Sequence, residues 1–553
     1  MENKKNQKFA IFSTIFLLCL ITAITVGNNF HNSNEPLSDY SRTLLKTSAT
    51  FNDIEIDALD TTNTSTSGNW TWAITNGICS GSGTLGSPYV IANHIFEYSV
   101  GSGDCLTILN SRNYFIIREC TFRNSGATQA GLLLSNTTNG EVTDCFSYNN
   151  YRGIELVSVN NTELNGNHIY NTSTGIFSSV SHFNTISNNN VSANTAMGIY
   201  LIQSNFNTIS NNLVNDNQYG IYLDDGDNNT LLSNTANHND IYGIYLWWQC
   251  DYNTISQNTM NFNGLSGLYL LVFCDNNKIS YNTANFNDDH GFYIDTCESN
   301  ELVQNNGNHN LGEGMRVFNS QDSIVNNNIA YNNSLNGISL ILADNITLTD
   351  NTAYENKQNG IYGVNLDESV IENNNAHHNG YDGIIIEGGS QVNIIKSNLA
   401  RYNNLSGIHV DSNNNLLMDN IASYNEEHGI FLESCNNVAL TSNTANSNKE
   451  NGIHLLDSNS NTIISNTANS NKNGTFLDNS DNNKVIDNIF VGNDDCYNET
   501  GSTGNIFEGN ICTSVGGGLG IDLSTILLIV SIIEGVALAA IVAVFFLKRK
   551  RKS

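Results

Sequence analysis

The sequence contains only two prolines in 553 residues, and charged side chains make up only 13% of it. A collagen-like chain is excluded because it needs far more proline and a strict Gly-X-Y period. Basic residues are also few: 22 Lys and Arg face 52 Asp and Glu, which gives a formal net charge of −30. A chain this acidic is not expected to bind nucleic acid, whose backbone it would repel.

Asparagine is abundant instead, with 98 residues, and glycine contributes 44. Both are poor helix formers, so a helical bundle or a helical solenoid is excluded. Hydrophobic residues make up 39% of the chain, including 23 Tyr and 23 Phe, so it has enough apolar surface to fold rather than remain a disordered polar chain.

Both ends of the chain carry targeting signals. Residues 1–27 combine early lysines with an apolar run and predict a secretory signal peptide, or alternatively an uncleaved signal anchor. An apolar stretch within residues 521–547 predicts a transmembrane helix, and residues 548–553 form a basic tail that should stay in the cytoplasm. We therefore expect a single-pass protein of the cell membrane with an extracellular ectodomain, whose residues 28–69 form a Ser/Thr/Asn-rich stalk.

A repeat of 22 to 24 residues organises the ectodomain. Each unit begins with Gly followed by alternating apolar residues, then a polar turn, Asn-Thr-Ile-Ser, an Asn and Thr-Ala. Such short alternating segments predict three strands per coil of an all-β, right-handed parallel β-helix with about 17–18 coils over residues 105–495. The repeated glycines are Gly131, Gly153, Gly175, Gly198, Gly220, Gly243, Gly267, Gly291, Gly314, Gly337, Gly360, Gly383, Gly407, Gly429, Gly452 and Gly474.

The asparagines fall into two rows in this register, and stacked amides can form hydrogen-bonded ladders while Asn also tolerates left-handed turns. The row before Gly includes Asn149, Asn171, Asn194, Asn239, Asn263, Asn287 and Asn310. The row after the second strand comprises Asn167, Asn189, Asn212, Asn234, Asn258, Asn282, Asn305, Asn327, Asn351, Asn374, Asn398, Asn420, Asn443, Asn466 and Asn488.

The Gly-Ile-x-Leu and Asn-Thr-Ile-Ser-x-Asn-Thr-Ala motifs resemble those of NosD-like proteins in the pectin-lyase-like superfamily, over about residues 70–495. The resemblance implies an N-terminal cap with the first coil at residues 70–104 and a C-terminal cap with a linker at residues 496–520. It also implies two activities to weigh: carbohydrate chemistry as in the superfamily's lyases, hydrolases and epimerases, and NosD-like maturation of a copper site.

Cysteines divide into cap and core positions. A crosslink stabilises a solenoid best at its frayed ends, so Cys79 with Cys105 and Cys496 with Cys512 are the candidate disulfides. The coil alignment stacks Cys250, Cys274 and Cys297 in successive coils, where buried free thiols are favoured over a metal site.

An aromatic stripe is the candidate binding surface. The residue two after Gly is tyrosine in five successive coils, and Trp247 and Trp248 stand beside that stripe with Asp224, Asp225 and Asp295 nearby. Aromatic faces bordered by carboxylates suit sugar rings, whereas the alternative is that stacked aromatics only stabilise the sheet. The stripe consists of Tyr200, Tyr222, Tyr245, Tyr269 and Tyr293.

Catalytic candidates are fewer. Acids and a histidine occur together in the turn before Gly at Asp288, Asp289 and His290 and again at Glu426, Glu427 and His428, and Glu313 and Asp382 share that row. Such groups can serve acid–base chemistry, but drift at an exposed repeat position also produces them. The histidines show no convergent ligand set, so no metal site is assigned.

The sequence thus favours a membrane-anchored cell-surface protein that acts in surface structure, adhesion or carbohydrate recognition. Its partners would be glycans or surface-layer components, with no cofactor beyond loosely bound Ca²⁺ on the acidic surface. Asn-x-Ser/Thr acceptors along the ectodomain are consistent with a glycoprotein. The alternatives are a carbohydrate-active enzyme of the same fold and, third, a NosD-like copper-site maturation factor.

Overall fold

The computed structural model describes residues 49–98 and 103–514. These residues belong to the unit Thr47–Ser553; a separate unit, Met1–Lys46, lies outside the described residues. The predicted signal peptide, transmembrane helix and basic tail also lie outside them. In the described ranges no helix has both the length and the hydropathy that crossing a membrane requires.

The chain winds into a parallel β-solenoid of about 18 coils with three sheets. Every strand pairs in parallel and in register with the equivalent strand of the neighbouring coil, as Ile221 does with Ile244. Residues of equivalent repeat position therefore stack along the axis, and this confirms the predicted fold.

Sheet 1 contains the strands at the coil glycines. Its strands are Ile54–Asp57, Ser67–Gly68, Leu106–Leu109, Ala130–Ser135, Arg152–Val157, Thr174–Ser179, Met197–Ile202, Tyr219–Asp224, Tyr242–Trp247, Leu268–Leu271, Phe292–Asp295, Met315–Phe318, Ile338–Ile341, Ile361–Val364, Ile384–Glu387, Ile408–Val410, Ile430–Glu433, Asn451–Leu456, Asn473–Asp478 and Asp495–Thr500.

Sheet 2 follows sheet 1 within each coil. Its strands are Tyr89–Ala92, Phe115–Arg118, Gly140–Thr143, Glu163–Asn165, Thr185–Ser187, Thr208–Ser210, Thr230–Leu232, Thr254–Ser256, Lys278–Ser280, Glu301–Val303, Ile324–Asn326, Thr347–Thr349, Val370–Glu372, Ile394–Lys396, Leu416–Met418, Ala439–Thr441, Thr462–Ile464, Lys484–Ile486 and Ile506–Glu508.

Sheet 3 closes each coil and is reduced to isolated bridges at several coils, such as Leu213 with Thr235. Its strands are Ala49–Asn52, His94–Glu97, Thr121–Arg123, Phe146–Tyr148, His168–Tyr170, Asn190–Val191, Ile329–Tyr331, Thr352–Tyr354, Asn375–His377, Leu399–Arg401, Ile421–Ser423, Ile489–Asn493 and Ile511–Ser514.

The ends of the solenoid differ from the predicted boundaries. Ala49–Asn52 and Ile54–Asp57 pair with sheets 3 and 1, so the end of the predicted stalk at residues 28–69 belongs to the solenoid. Helix α1, Trp70–Thr75, covers the core with the buried side chains of Trp70 and Trp72. At the other end, Asp495–Thr500 and two further strands add a coil where a cap and linker were predicted.

Each coil glycine is required by close packing rather than by its backbone dihedrals. A Cβ atom on Gly291 would lie 2.6 Å from the carbonyl oxygen of Gly314 in the next coil. Both the glycine and the apolar residue that follows it face inward, so the strand does not alternate strictly at this point. Any larger side chain would push neighbouring coils apart.

Buried asparagine amides link the coils. In the main ladder, the Oδ1 atom of Asn234 accepts the backbone N–H and the Nδ2–H of Asn212, and the Nδ2 of Asn212 also donates to the carbonyl of Ile186. The same pattern continues through sixteen coils, so every amide has partners on both sides. The ladder consists of Asn167, Asn189, Asn212, Asn234, Asn258, Asn282, Asn305, Asn328, Asn351, Asn374, Asn398, Asn420, Asn443, Asn466, Asn488 and Asn510.

The structure corrects the predicted rows in detail. Asn327 is not in the main ladder: it adopts φ 54°, and its neighbour Asn328 faces inward instead. Asn149 and Asn171 likewise occupy left-handed turn positions outside the second ladder, which begins at Asn194. The asparagines with inward-facing amides and those with left-handed backbone therefore occupy separate, adjacent positions of the repeat.

Only one of the two predicted disulfides is present. Cys496 is bonded to Cys512 in the last described coils. Cys79 and Cys105 are buried free thiols, which corrects the predicted second pair; Cys105 donates instead to the carbonyl of Arg123, at 3.2 Å. The stacked cysteines Cys250, Cys274 and Cys297 are also free, with the backbone N–H of Cys274 donating to the Cys297 sulfur.

Neighbouring asparagines provide a test of the ladder. Asn328→Ala breaks four buried hydrogen bonds, and we expect it to lower the free energy of unfolding by about 3 kcal/mol. Asn327→Gly should stay within about 0.5 kcal/mol of the wild type, because glycine adopts positive φ freely. Urea denaturation followed by circular dichroism measures both values, and equal losses for the two variants would contradict the ladder assignment.

Candidate functional site

Outward-facing side chains of sheet 1 form a continuous strip along the solenoid. Its central column stands two residues after each coil glycine from Gly198 to Gly474 and pairs in register from coil to coil. We use the name outer strip for this column and the residues that flank it on the same strands and preceding turns. The column consists of Tyr200, Tyr222, Tyr245, Tyr269, Tyr293, Arg316, Ser339, Tyr362, Ile385, His409, Phe431, His454 and Phe476.

The five predicted tyrosines are brought together as one stack. Ring centroids of successive tyrosines lie 4.7, 4.8, 5.5 and 4.7 Å apart. Tyr222 and Tyr269 are each only 8% exposed. Because each ring face is largely covered by the next tyrosine, the stack offers edges and hydroxyls rather than open faces.

Carboxylates hold the tyrosine hydroxyls. Tyr200 donates to Asp224 at 3.0 Å, and Tyr269 and Tyr293 donate to the same Oδ2 of Asp295 at 3.3 and 3.1 Å. Burial raises the pKa of Asp224 and of Asp295 above the ordinary value for aspartate. The predicted neighbourhood of tyrosines and acids is therefore real, and it is largely satisfied internally.

Two tyrosines missed in the sequence analysis flank the stack. Tyr219 and Tyr242 precede the coil glycines, and the Tyr242 ring centroid lies 5.0 Å from that of Tyr245. A strict alternation of inward and outward residues would not place them on the outer face. The inward-facing glycine breaks that alternation, so the repeated Tyr-Gly-Ile-Tyr motif was the available signal.

The two tryptophans occupy different positions. Trp247 is half-buried beside the stack, in register between Asp224 and Leu271. Trp248 begins the following turn at φ 61° and is 38% exposed, with its ring edge-on to Phe273. Trp248 is thus an accessible aromatic side chain at the rim of the strip.

Three of the four catalytic candidates meet directly below the stack. The His290 Nε2 lies 3.3 Å from Asp289, and its Nδ1 accepts the backbone N–H of Glu313 at 3.0 Å. Glu313 is 3% exposed and accepts from Arg316 at 3.1 Å, from Asn336 at 3.0 Å and from Ser339. Asp288 is exposed.

Glu313, at the centre of this cluster, is saturated by its own contacts. Both Glu313 oxygens are occupied, and burial lowers the pKa of His290 although Asp289 and Glu313 oppose the shift. A general acid or base must reach a proton on the substrate. The arrangement is therefore suited to hold neighbouring turns together more than to transfer protons.

A second polar cluster lies further along the strip. His409 lies 3.6 Å from Asp382 and 3.3 Å from Glu433; burial opposes its charging, but these carboxylates raise its pKa overall. Next to it, the Nε2 of His428 and the Nδ1 of His454 are 3.1 Å apart. Burial, with the charges of His454, His409 and Lys472, lowers the pKa of His428 to about 3, and burial lowers that of His454 to about 4.

His428 and His454 line a surface groove of about 620 Å³ near the end of the strip. His409 and His454 share the row two residues after the coil glycine, whereas His428 stands in the turn before it, so its contact with His454 crosses from a turn to the next strand. The groove is lined by Glu426, Glu427, His428, Glu450, Asn451, His454, Lys472, Asn473, Phe476 and Asn498.

A family model described as a right handed beta helix region matches residues 104–260, 217–353 and 336–490. Together these ranges cover more than half of the chain. The chain belongs to the right-handed β-helix family. The resemblance to NosD-like and pectin-lyase-like proteins is consistent with this membership.

Several solved structures are similar to this chain at low sequence identity. The A-module of mannuronan C-5 epimerase AlgE6 from Azotobacter vinelandii is 17% identical, with 58% of this chain and 92% of that chain covered and a TM-score of 0.34. The Dettilon tailspike protein is 15% identical, with 59% of each chain covered and a TM-score of 0.29. PfbA, a surface adhesin of Streptococcus pneumoniae, is 10% identical, with 55% of this chain and 85% of that chain covered and a TM-score of 0.26. No curated protein matches the chain.

We expect the hydrogen bonds of Glu313 to stabilise the contact between neighbouring coils. Glu313→Leu leaves Arg316, Asn336 and Ser339 without their acceptor, and we expect the free energy of unfolding to fall by about 3 kcal/mol. The exposed neighbour Asp288 serves as the control, since Asp288→Asn should change it by less than about 0.5 kcal/mol. Urea denaturation measures both, and an unchanged stability of Glu313→Leu would refute the structural role.

The neutral histidine pair predicts a loss of stability in acid. His454 titrates near its ordinary pKa when unfolded but at about 4 when folded. Its contribution is therefore full above about pH 6.5 and is lost as the pH falls toward 4, by up to roughly 3 kcal/mol. His454→Phe should reduce the pH dependence of unfolding by that amount. A pH profile parallel to the wild type would show that His454 is not held neutral.

Proposed function

We propose that this chain is an exported, membrane-anchored cell-surface protein that recognises carbohydrate with its outer strip, in adhesion or in surface structure. The observation that carries the proposal is the strip itself, in which ten of the thirteen column residues carry aromatic or imidazole rings and carboxylates stand beside them. A polymer of similar sugar units lying along the axis would meet similar groups at each coil. Aromatic side chains that stay exposed, such as Trp248, complement the C–H groups of sugars, and carboxylate oxygens accept from their hydroxyls.

The charge of the strip favours a neutral glycan. Its basic groups are few, chiefly Arg316 and Lys472, and Arg316 is already paired with Glu313. Acids such as Asp224, Asp295, Glu387, Glu427, Glu433, Glu450 and Asp478 outnumber them. An acidic polysaccharide would meet like charges, whereas the hydroxyls of a neutral one can donate to these carboxylates.

The proposed location rests on the ends of the sequence and on one crosslink. The Cys496–Cys512 disulfide supports an oxidising compartment, as expected for an exported domain. Residues 1–27 and 521–547 supply the signal and the anchor. The acidic surface would attract Ca²⁺ loosely; in residues 49–98 and 103–514 no group of three or more His, Cys, Asp and Glu side chains is arranged to hold a metal.

A carbohydrate-active enzyme is the second candidate, and the meeting of Asp289, His290 and Glu313 is the observation that favours it. The burial of Glu313 and the occupation of both its oxygens weigh against catalysis. A NosD-like role in copper maturation has less support still, because the described histidines converge with carboxylates and with each other rather than as a metal-ligand set. Incubating the full chain with polysaccharides and measuring new reducing ends or unsaturated products distinguishes enzyme from binder.

Glycan binding is tested on an array with the full-length protein. We expect retention of neutral glycans, and Trp247→Ala with Trp248→Ala should weaken it about tenfold or more, since exposed aromatic anchors dominate such contacts. Phe183→Ala is the matched control: this aromatic is exposed but lies on a turn away from the strip, and its loss should leave binding unchanged. Absence of binding to every glycan would refute the proposal.

A further inference from the structure

The groove beside Phe476 differs from the rest of the outer strip because an aromatic column ends there. His409, Phe431, His454 and Phe476 stack in succession with ring centroids 4.6, 5.0 and 5.0 Å apart. The residue in register with Phe476 in the next coil is Asn498, which has no ring. Among the described residues, one face of Phe476 therefore has no aromatic neighbour, unlike the faces within the tyrosine stack.

The histidine pair fixes a proton on the wall of this groove. The backbone N–H and the Nδ2–H of Asn451 both point at the Nδ1 of His428, at 3.4 Å, so that nitrogen is an acceptor. The proton of His428 is then on Nε2 and is donated to the Nδ1 of His454. It follows that His454 carries its own proton on Nε2.

This Nε2–H has no acceptor among the residues that the structure describes. His454 is only 9% exposed, so an unmet donor at this position is costly. The side chain lines the groove, and an oxygen atom of a bound ligand would satisfy it. Because the tautomer is fixed, the Nε2 of His454 is a donor, and its ligand partner must be an acceptor such as a hydroxyl oxygen.

Charges around the groove are mostly paired. Lys449 contacts Glu426, and Lys472 contacts Glu450 at 2.7 Å. Glu427 adds a further carboxylate, whose pKa is raised by burial and by the charges of Asp382 and Glu450. The groove thus offers acceptor oxygens for hydroxyl protons without the unpaired cations that a uronic acid would need.

We propose that this groove is a subsite for a neutral pyranose unit, with the sugar ring stacked on Phe476, a sugar oxygen accepting from the Nε2 of His454, and hydroxyls donating to Glu427 and Glu450. The inference rests on the proposed function and gives it a location, several coils away from Trp248. It assigns recognition to the end of an aromatic column, where one face of Phe476 has no aromatic neighbour among the described residues.

The test measures binding of the full-length protein to cellohexaose, mannohexaose, N-acetylchitohexaose and hexagalacturonate by calorimetry. We expect at least one neutral hexamer to bind and hexagalacturonate not to bind. Phe476→Leu removes the platform and His454→Phe removes the donor while keeping a stacked ring; each should raise Kd about tenfold or more. Phe183→Leu, an exposed aromatic on a turn away from the strip, is the matched control and should stay within about twofold.

A second measurement covers the case in which a variant folds poorly. Phe476→Trp keeps the aromatic platform, and its fluorescence should change on titration with the hexamer that binds, with the Kd found by calorimetry. If a neutral hexamer binds but both groove variants bind it equally well, the subsite is refuted and the proposed function stands. If no hexamer binds, both the subsite and the proposed function are refuted. Preferential binding of hexagalacturonate overturns the neutral specificity.

Discussion

The buried asparagine ladder is the constraint on which the rest of the solenoid depends. An amide enclosed between coils must have partners for its oxygen and both protons, and the ladder supplies them from the coil before and the coil after. The arrangement works only if each coil repeats the path of its neighbour, so that every Asn, such as Asn212, meets the next at hydrogen-bond distance. A shift of one residue in any coil would leave buried polar groups unpaired, which costs more than the bonds themselves contribute.

The fixed register also decides what the outer face can do. Since equivalent positions stack in successive coils, a tyrosine repeated in five coils becomes a column whose rings cover one another. Repetition therefore removes binding faces as it adds aromatic residues. The places where a column changes or ends, at Trp248 and at Phe476, are where side chains remain available to a ligand.

Much of the fold was predictable because the repeat is explicit. The spacing of the coil glycines gave the coil length and the parallel β-helix, and the tyrosine stripe and the meeting of Asp289, His290 and Glu313 followed from repeat positions alone. The orientation of side chains at adjacent positions was harder to predict. In Asn326-Asn327-Asn328 only the backbone shows which amide turns inward, and the same ambiguity displaced Asn149 and Asn171 from their predicted row.

Sequence by itself determined the family fold, the acidic and aromatic character of the outer face and the list of candidate groups, since these follow from composition and a repeat period. Tertiary structure alone decided which groups are free to act. In the folded chain the Glu313 oxygens are occupied by hydrogen-bond donors, and Cys79 and Cys105 are free thiols. His428 contacts His454 at a groove that the alignment of repeat rows did not indicate. The physical reason is that hydrogen bonding and ring stacking between coils depend on distances of a few tenths of an ångström and on side-chain direction, which a repeat pattern does not specify.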